Sequence, residues 1–161
     1  FDRHESEGQE QGRGACETVT DGRTGELAVG VEGNAVVYRW TLPRLPSKEL
    51  SPNFRGHWSR THRAMQMDKS DSYAYFLQAH PRPDSPLDKA KVTVTIYRRT
   101  RQRLDPDNWG ARMKGYWDGL VQAGLLQDDS VAVIGQPRYI FVVDPKRAGQ
   151  WGLVEFEVEA L

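Results

Sequence analysis

The sequence predicts an α+β fold, with a mixed β-sheet and two main helices packed on it in a single domain. Three observations lead to this prediction. The 161 residues suit one domain, two long stretches carry apolar residues at helical spacing, and five shorter stretches have the alternation or apolar density of strands. These elements follow in the order ββ-α-β-α-β-β, which favours helices on one side of the sheet.

The chain starts with a polar stretch. Residues 1–25 are rich in Gly, Glu and Gln, and they cannot bury enough apolar surface to offset the entropy of ordering. We expect a flexible tail over 1–25 and the folded domain over 26–161. The single cysteine, Cys16, excludes a disulfide framework within the chain and fits a reducing, cytoplasmic setting. The sequence contains no run of about 18 apolar residues, so it predicts no membrane-spanning helix.

The first half of the domain predicts a hairpin and a long helix. The stretch ELAVGVEGNAVVYRWTLP indicates two strands joined by a Glu-Gly-Asn turn, with the second strand over 35–42. A basic loop with three prolines follows. The spacing then predicts a helix from about His57 to Ala79, with a buried side made of Trp58, Met65, Tyr73, Phe76 and Leu77.

The second half predicts three strands and a second helix. AKVTVTIYRRT alternates as a half-buried strand, with Val92, Val94 and Ile96 on one face. A helix is predicted over 108–123, and Gly124 is a suitable stop for it. SVAVIGQPRYIFVV and WGLVEFEVEAL predict the last two strands. The buried stripe of the second helix consists of Trp109, Met113, Trp117, Leu120 and Val121.

The net charge of zero hides a segregation of charge. Residues 1–35 carry eight acids and three bases, residues 36–103 carry five acids and fourteen bases, and residues 104–161 carry nine acids and five bases. The middle third is therefore a candidate phosphate-binding surface. The alternative is a solvated face on which basic residues cluster by chance.

Carboxylates flank the second helix at both ends. Asp105 and Asp107 precede it, Asp128 and Asp129 follow it, and Lys114 and Asp118 share a polar stripe with Asp107 at spacings of seven and four residues. Capping by Asp107 and Asn108, and an ordinary acidic turn at 128–129, are the alternative explanations. Two carboxylate clusters around a lysine indicate a hard divalent cation, Mg²⁺, and a phosphoryl-transfer site.

The segments LDPDN, the helix with Lys114 and Asp118, and AGLLQDDS resemble the RusA family of phage and bacterial Holliday junction resolvases. The segment WTLPRLPSKELSPNFRGHWSR resembles that family's first strand and basic loop, so the likeness covers about residues 38–158. It implies a RusA-like fold and a Mg²⁺-dependent endodeoxyribonuclease that cuts four-way junctions, with Mn²⁺ as a substitute. It also implies a homodimer and a cytoplasmic, DNA-associated enzyme of bacterial or phage origin.

The resemblance assigns roles to the acidic residues and the lysine. It implies metal ligation by Asp105, Asp107 and Asp129, with Asp128 in support, and catalysis by these three aspartates together with Lys114. Asn108 and Asp118 match supporting positions of the motif. The family lysine follows the second aspartate by four residues, whereas Lys114 follows by seven, so a looped or 3₁₀ start at Gly110 is one expectation and Arg112 is the alternative cation.

DNA binding is expected from basic residues of the middle third, with Phe54 and Trp58 either wedging at a branch point or packing on the sheet. Two other functions stay open: a nuclease for flaps or single strands, and a junction-binding protein with impaired catalysis. The arginines expected to contact phosphates are Arg55, Arg60, Arg63, Arg98, Arg99 and Arg101.

Overall fold

The computed structural model describes residues 29–32, 35–101 and 106–161, so the predicted tail over 1–25 lies outside the described residues. The described chain is α+β, as predicted. Its strands are β1 (Val29–Glu32), β2 (Ala35–Leu42), β3 (Ala90–Arg98), β4 (Arg138–Val143) and β5 (Leu153–Ala160). Its helices are α1 (Trp58–Ala79), α2 (Pro106–Arg112), α3 (Lys114–Gln122), α4 (Val131–Ile134) and α5 (Pro145–Ala148), with one 3₁₀ turn at Lys48–Leu50.

The five strands form one mixed sheet in the order β1-β2-β5-β3-β4. β1 and β2 form the predicted hairpin, and β5 lies antiparallel between β2 and β3. Only β3 and β4 run parallel, with Thr93 opposite Arg138. A parallel pair needs a crossover connection, and the segment that carries α2, α3 and α4 supplies it.

Helices α1 and α3 pack on the same face of the sheet. Trp40 of β2 stacks on Phe156 of β5 with ring centroids 4.8 Å apart, and Phe76 of α1 meets the Trp40 ring edge-on at 5.1 Å. Tyr116 of α3 lies 6.1 Å from the same Phe156 ring. The predicted inward residues Val92, Val94 and Ile96 are all buried in this core.

Two glycines let α3 approach α1 closely. A Cβ added at Gly115 would lie 2.7 Å from the Asp68 Cβ, and one added at Gly119 would lie 2.5 Å from the Lys69 carbonyl oxygen. Because real Cβ atoms almost never come so close, only glycine fits at these two positions. The interface also contains a buried hydrogen bond from the Ser72 hydroxyl to the Tyr116 carbonyl at 2.9 Å.

The structure corrects three predictions and adds one helix. Trp58, the first residue of α1, is 71% exposed, so its placement on the buried side was wrong. The predicted helix over 108–123 starts at Pro106 and divides at Met113 into α2 and α3. The strand predicted over 130–143 starts only at Arg138, after the single turn α4. Helix α5 was not predicted; Asp144 caps it by accepting from two backbone N–H groups.

Within the described part of the chain, no helix has the length and apolar character that crossing a membrane requires. The longest helix, α1, has 22 residues but carries charged and polar side chains along most of its length.

Candidate catalytic site

Lys114, Asp118 and Asp129 meet at the start of α3. Lys114 Nζ donates a hydrogen bond to Asp118 Oδ1, one turn along the same helix, at 3.0 Å. It donates a second hydrogen bond to Asp129 Oδ2, from the loop before α4. The side chain of Lys114 is 49% exposed and that of Asp129 is 19% exposed, so the cluster opens to solvent on the side of the lysine.

The two carboxylates hold the ammonium in its charged form. The hydrogen bond to Asp129, assisted by the bond to Asp118, raises the pKa of Lys114 above its ordinary value against the opposing effect of burial. Lys114 is therefore a permanent cation at neutral pH. An ammonium fixed by two acceptors has little freedom left, so its position relative to both carboxylates is defined.

Asp129 lies in a short turn that is held by hydrogen bonds among its own residues. The Asp128 carboxylate accepts a hydrogen bond from the backbone N–H of Asp129 at 2.9 Å. A hydrogen bond from the Ser130 side chain, together with that N–H, lowers the pKa of Asp128. Asp128 thus shapes the loop that presents Asp129 to Lys114.

The first acidic pair is described only in part. Asp105 lies outside the described residues, and Asp107 is the second residue of α2, where the structure describes its backbone. The neighbouring Asn108 is half-buried, and its side-chain oxygen accepts a hydrogen bond from Asn53 Nδ2 at 3.5 Å. The loop after the 3₁₀ turn therefore reaches the beginning of α2, a contact that no periodic pattern of residues indicates.

The residues between Asp107 and Lys114 are helical. The Met113 N–H bonds to the Trp109 carbonyl at 3.0 Å, and the Trp117 N–H bonds to the Met113 carbonyl at 3.1 Å. Backbone bonding thus continues across the division between α2 and α3. Gly110 lies inside α2, so the expected looped or 3₁₀ start was wrong, and the longer spacing moves Lys114 along a helix by about one turn.

The carboxylates of this cluster have the donor chemistry that Mg²⁺ prefers. Asp129 fits a ligand role, because its oxygen already binds a cationic group, the Lys114 ammonium. Of the predicted ligands, Asp128 and Asp129 have described side chains, and Asp105 and Asp107 do not. Among the side chains that the structure describes, no group of three or more His, Cys, Asp or Glu residues converges as a metal site.

A buried polar network supports the start of α3. Asp68 of α1 is fully buried and accepts hydrogen bonds from Arg44 Nη2 at 2.7 Å, the Ser47 hydroxyl at 2.6 Å and the Ser47 N–H at 2.9 Å. The Tyr116 hydroxyl donates to the Arg44 carbonyl at 3.1 Å. Gly115, next to Lys114, rests against Asp68. The network fixes α1, α3 and the loop after β2 to one another.

Asp68 was not predicted as a site residue. A signal was present, because Ala64, Asp68, Ser72 and Phe76 recur every four residues and form the buried stripe of α1. Two polar residues on such a stripe indicate a buried hydrogen-bond network.

Arg112 points away from the acidic cluster. Its guanidinium donates to the Ser47 carbonyl at 3.3 Å and to the Pro46 carbonyl, and it lies 4.3 Å from the centre of the Trp109 ring. Burial lowers its pKa. Arg112 therefore anchors the loop after β2, and Lys114 is the cation that contacts Asp129.

The predicted DNA-binding arginines lie in two groups. Those near the start of α1 are exposed, although Arg60 is paired with Glu49 at 3.3 Å and lies 5.2 Å from the Phe54 ring. Those at the end of β3 include the half-buried Arg98, 5.9 Å from the Phe141 ring. The first group is Arg55, Arg60 and Arg63, and the second is Arg98, Arg99 and Arg101.

A comparison with known proteins identifies a sequence relative that has no described activity. No family model matches the chain. A protein of Xylella fastidiosa strain Temecula1, described as uncharacterized, is 36% identical over 90 residues, which is 55% of this chain and 58% of that protein. The chain thus spans little more than half of this relative, whose description names no activity.

Proposed function

We propose that this chain is a Mg²⁺-dependent endodeoxyribonuclease of the RusA-like type, which acts on branched DNA such as Holliday junctions. The observation that carries the proposal is the contact of Lys114 with Asp129, residues 15 positions apart that are united at the start of α3. Asp107 is the second residue of α2, and backbone hydrogen bonding continues from α2 into α3, so Asp107 and Lys114 lie on one continuous helical segment.

In this proposal Asp105, Asp107 and Asp129 hold Mg²⁺, which when bound polarises a phosphodiester and activates water. The Lys114 ammonium donates to a non-bridging phosphate oxygen and offsets the negative charge that grows there. Asp118 keeps Lys114 directed toward Asp129 from the same helix face. Paired cuts across a four-way junction need two such sites, so the active form is a homodimer.

A second candidate is a junction-binding protein without cleavage activity. It is favoured by one observation, that Lys114 is hydrogen-bonded to two carboxylates and lies about one helical turn beyond the family position. In that case the ion pairs only stabilise the start of α3. Cleavage separates the two candidates, whereas DNA binding does not.

The test compares a four-way junction, a flap and a linear duplex under single-turnover conditions with Mg²⁺. We expect that the junction is cut in preference to the other two substrates. If the flap is cut in preference, the proposed substrate is a flap and not a four-way junction. Asp129→Asn should abolish cleavage and leave DNA binding intact or tighter, because a negative charge near phosphate is removed. Asp84→Asn, at an exposed carboxylate of the connector before β3, is the matched control and should cut normally.

A further inference from the structure

A cleft of about 650 Å³ is formed in part by helix α2, through Trp109 and Arg112. It is bounded by the loop after β2, the end of β3, helix α2 and the turn before β5. Helix α2 also carries Asp107, so the cleft and the proposed catalytic segment share one element. Six side chains define its chemistry: Lys48, Arg98, Arg99, Trp109, Arg112 and Trp151.

The lining of this cleft is cationic. Among the described residues that form it, four are basic and none is acidic. Arg98 and Arg112 form part of its walls, and both contact other residues of the protein: Arg98 lies over the Phe141 ring, and Arg112 binds the Pro46 and Ser47 carbonyls. Lys48 and Arg99 are exposed and make no ion pair with any residue that the structure describes. Two cations without carboxylate partners, in a concave surface, suit an anionic ligand.

Trp151 stands at the rim with 68% of its surface exposed. Its backbone is fixed on both sides: its carbonyl accepts from the Leu45 N–H at 3.1 Å, and the next residue, Gly152, has a φ of 79°. A Cβ at Gly152 would lie 2.4 Å from Leu45 Cγ. A rigid turn therefore presents a large aromatic face beside the cations.

Cations and an aromatic face together recognise a phosphate and a nucleobase. In a duplex both faces of each base are stacked, so only an unpaired base can lie on the Trp151 indole. A channel that combines basic side chains with aromatic platforms is typical of single-strand binding. A volume of about 650 Å³ also lies within the range of ligand pockets.

We propose that this cleft binds an unpaired segment of DNA, with its phosphates on Lys48 and Arg99 and a base stacked on Trp151. The choice of DNA rests on the proposed nuclease function, since branched DNA with a single-stranded arm, such as a flap, supplies unpaired nucleotides. The cleft then guides one strand along α2 toward Asp107. Trp151 is a specificity-determining residue in this arrangement, and it takes no part in bond cleavage.

The test measures binding of a fluorescein-labelled oligothymidine by anisotropy, without added metal. Trp151→Ala should weaken binding at least about fivefold, the loss of one stacked base, and Trp151→Phe should retain most of it. Lys48→Ala and Arg99→Ala should weaken binding and reduce its salt dependence. Lys89→Ala is the matched control, because Lys89 is exposed at the opposite end of β3.

The outcomes separate this proposal from the proposed function. Unchanged oligothymidine binding by Trp151→Ala would overturn the cleft proposal, even if junction cleavage is normal. Weakened binding by Trp151→Ala, with no cleavage of any substrate by the wild type, would uphold the cleft and reject the nuclease. Equal affinity for thymidine monophosphate and the oligomer, or for duplex and single strand, would overturn the assignment to an unpaired strand.

Discussion

Lys114 is the side chain on which the chemistry of the candidate site depends. If its ammonium contacts the reacting phosphate, Lys114→Ala should lower single-turnover junction cleavage by about a hundredfold or more. Its side chain is 49% exposed, so the same change should cost at most about 1 kcal/mol of unfolding free energy. Cleavage assays and chemical denaturation of the same variant separate the two effects.

Arg112→Ala is the comparison for this prediction. Arg112 holds the loop after β2 through the Pro46 and Ser47 carbonyls, so its loss should reduce stability more than Lys114→Ala does. Impaired cleavage in Arg112→Ala beside normal cleavage in Lys114→Ala, both measured well below their unfolding transitions, would show that the wrong cation was assigned.

His80 makes stability depend on pH. It is 2% exposed, and its Nε2 donates to the Arg39 carbonyl at 2.9 Å. Burial lowers the pKa of His80 below the ordinary value of 6.5, despite the opposing effect of that hydrogen bond. His80 therefore binds a proton more readily in the unfolded chain than in the folded one. The free energy of unfolding should fall as pH drops through 6.5.

The size of the His80 effect is bounded by one proton, at most about 1.4 kcal/mol per pH unit. Urea denaturation of the wild type and His80→Gln at pH values on both sides of that range measures it. The variant should show a flatter dependence, and His62→Gln, which removes an exposed imidazole, is the matched control. A parallel slope in His80→Gln would exclude His80 as the source.

The contact of α1 with α3 decides where Lys114 lies. Gly119→Ala adds a methyl group 2.5 Å from the Lys69 carbonyl oxygen and 2.7 Å from Ser72 Cβ, so the helices must separate. We expect a loss of about 1–3 kcal/mol in unfolding free energy. Gly110→Ala, where nothing lies within 4 Å, should instead be neutral or stabilising by up to about 1 kcal/mol. Thermal unfolding of both variants tests this, and equal effects would contradict it.

The hairpin, α1, β3 and β5 were predictable because each has a periodic pattern and a marked end. The strand β3 alternates along its whole length, and Gly124, with a φ of 80°, ends the second helical segment as predicted. The region after Asp129 was not predictable in the same way. VAVI is as apolar as a strand, but the backbone makes one helical turn there, bonded to Ser130, before the chain enters β4.

Hydrogen bonds between polar groups far apart in the sequence could not be predicted from local residue patterns either. The stripe that aligns Lys114 with Asp118 follows from helical spacing, and their hydrogen bond agrees with it. The contact of Lys114 with Asp129 depends on the crossover that returns the chain to the sheet, and helical spacing does not predict it. The network of Asp68, Arg44 and Ser47 joins a helix to a loop more than 20 residues away, where a sequence gives only the buried polar stripe.

Over the whole molecule, the fold brings some of the basic residues of 36–103 into ion pairs with carboxylates and leaves others without an ion pair among the described residues. Ion pairs join Arg39 to Glu157, Arg44 to Asp68 and Asp71, Arg60 to Glu49, and Lys91 to Glu159. Among the described residues, seven exposed basic residues of this region make no ion pair: Lys48, Arg55, Arg63, Arg82, Lys89, Arg99 and Arg101.

The exposed lysines and arginines without ion pairs predict how the affinity for DNA depends on salt concentration. With about six phosphate contacts, the affinity for a four-way junction should fall roughly a thousandfold between about 50 and 200 mM salt, because each contact releases condensed counterions. Arg63→Ala removes one exposed cation of α1 and should lower the slope of log affinity against log salt by about one. Titrations by fluorescence anisotropy at four or more salt concentrations measure both slopes. A nearly flat dependence in the wild type would mean that phosphates do not bind this surface.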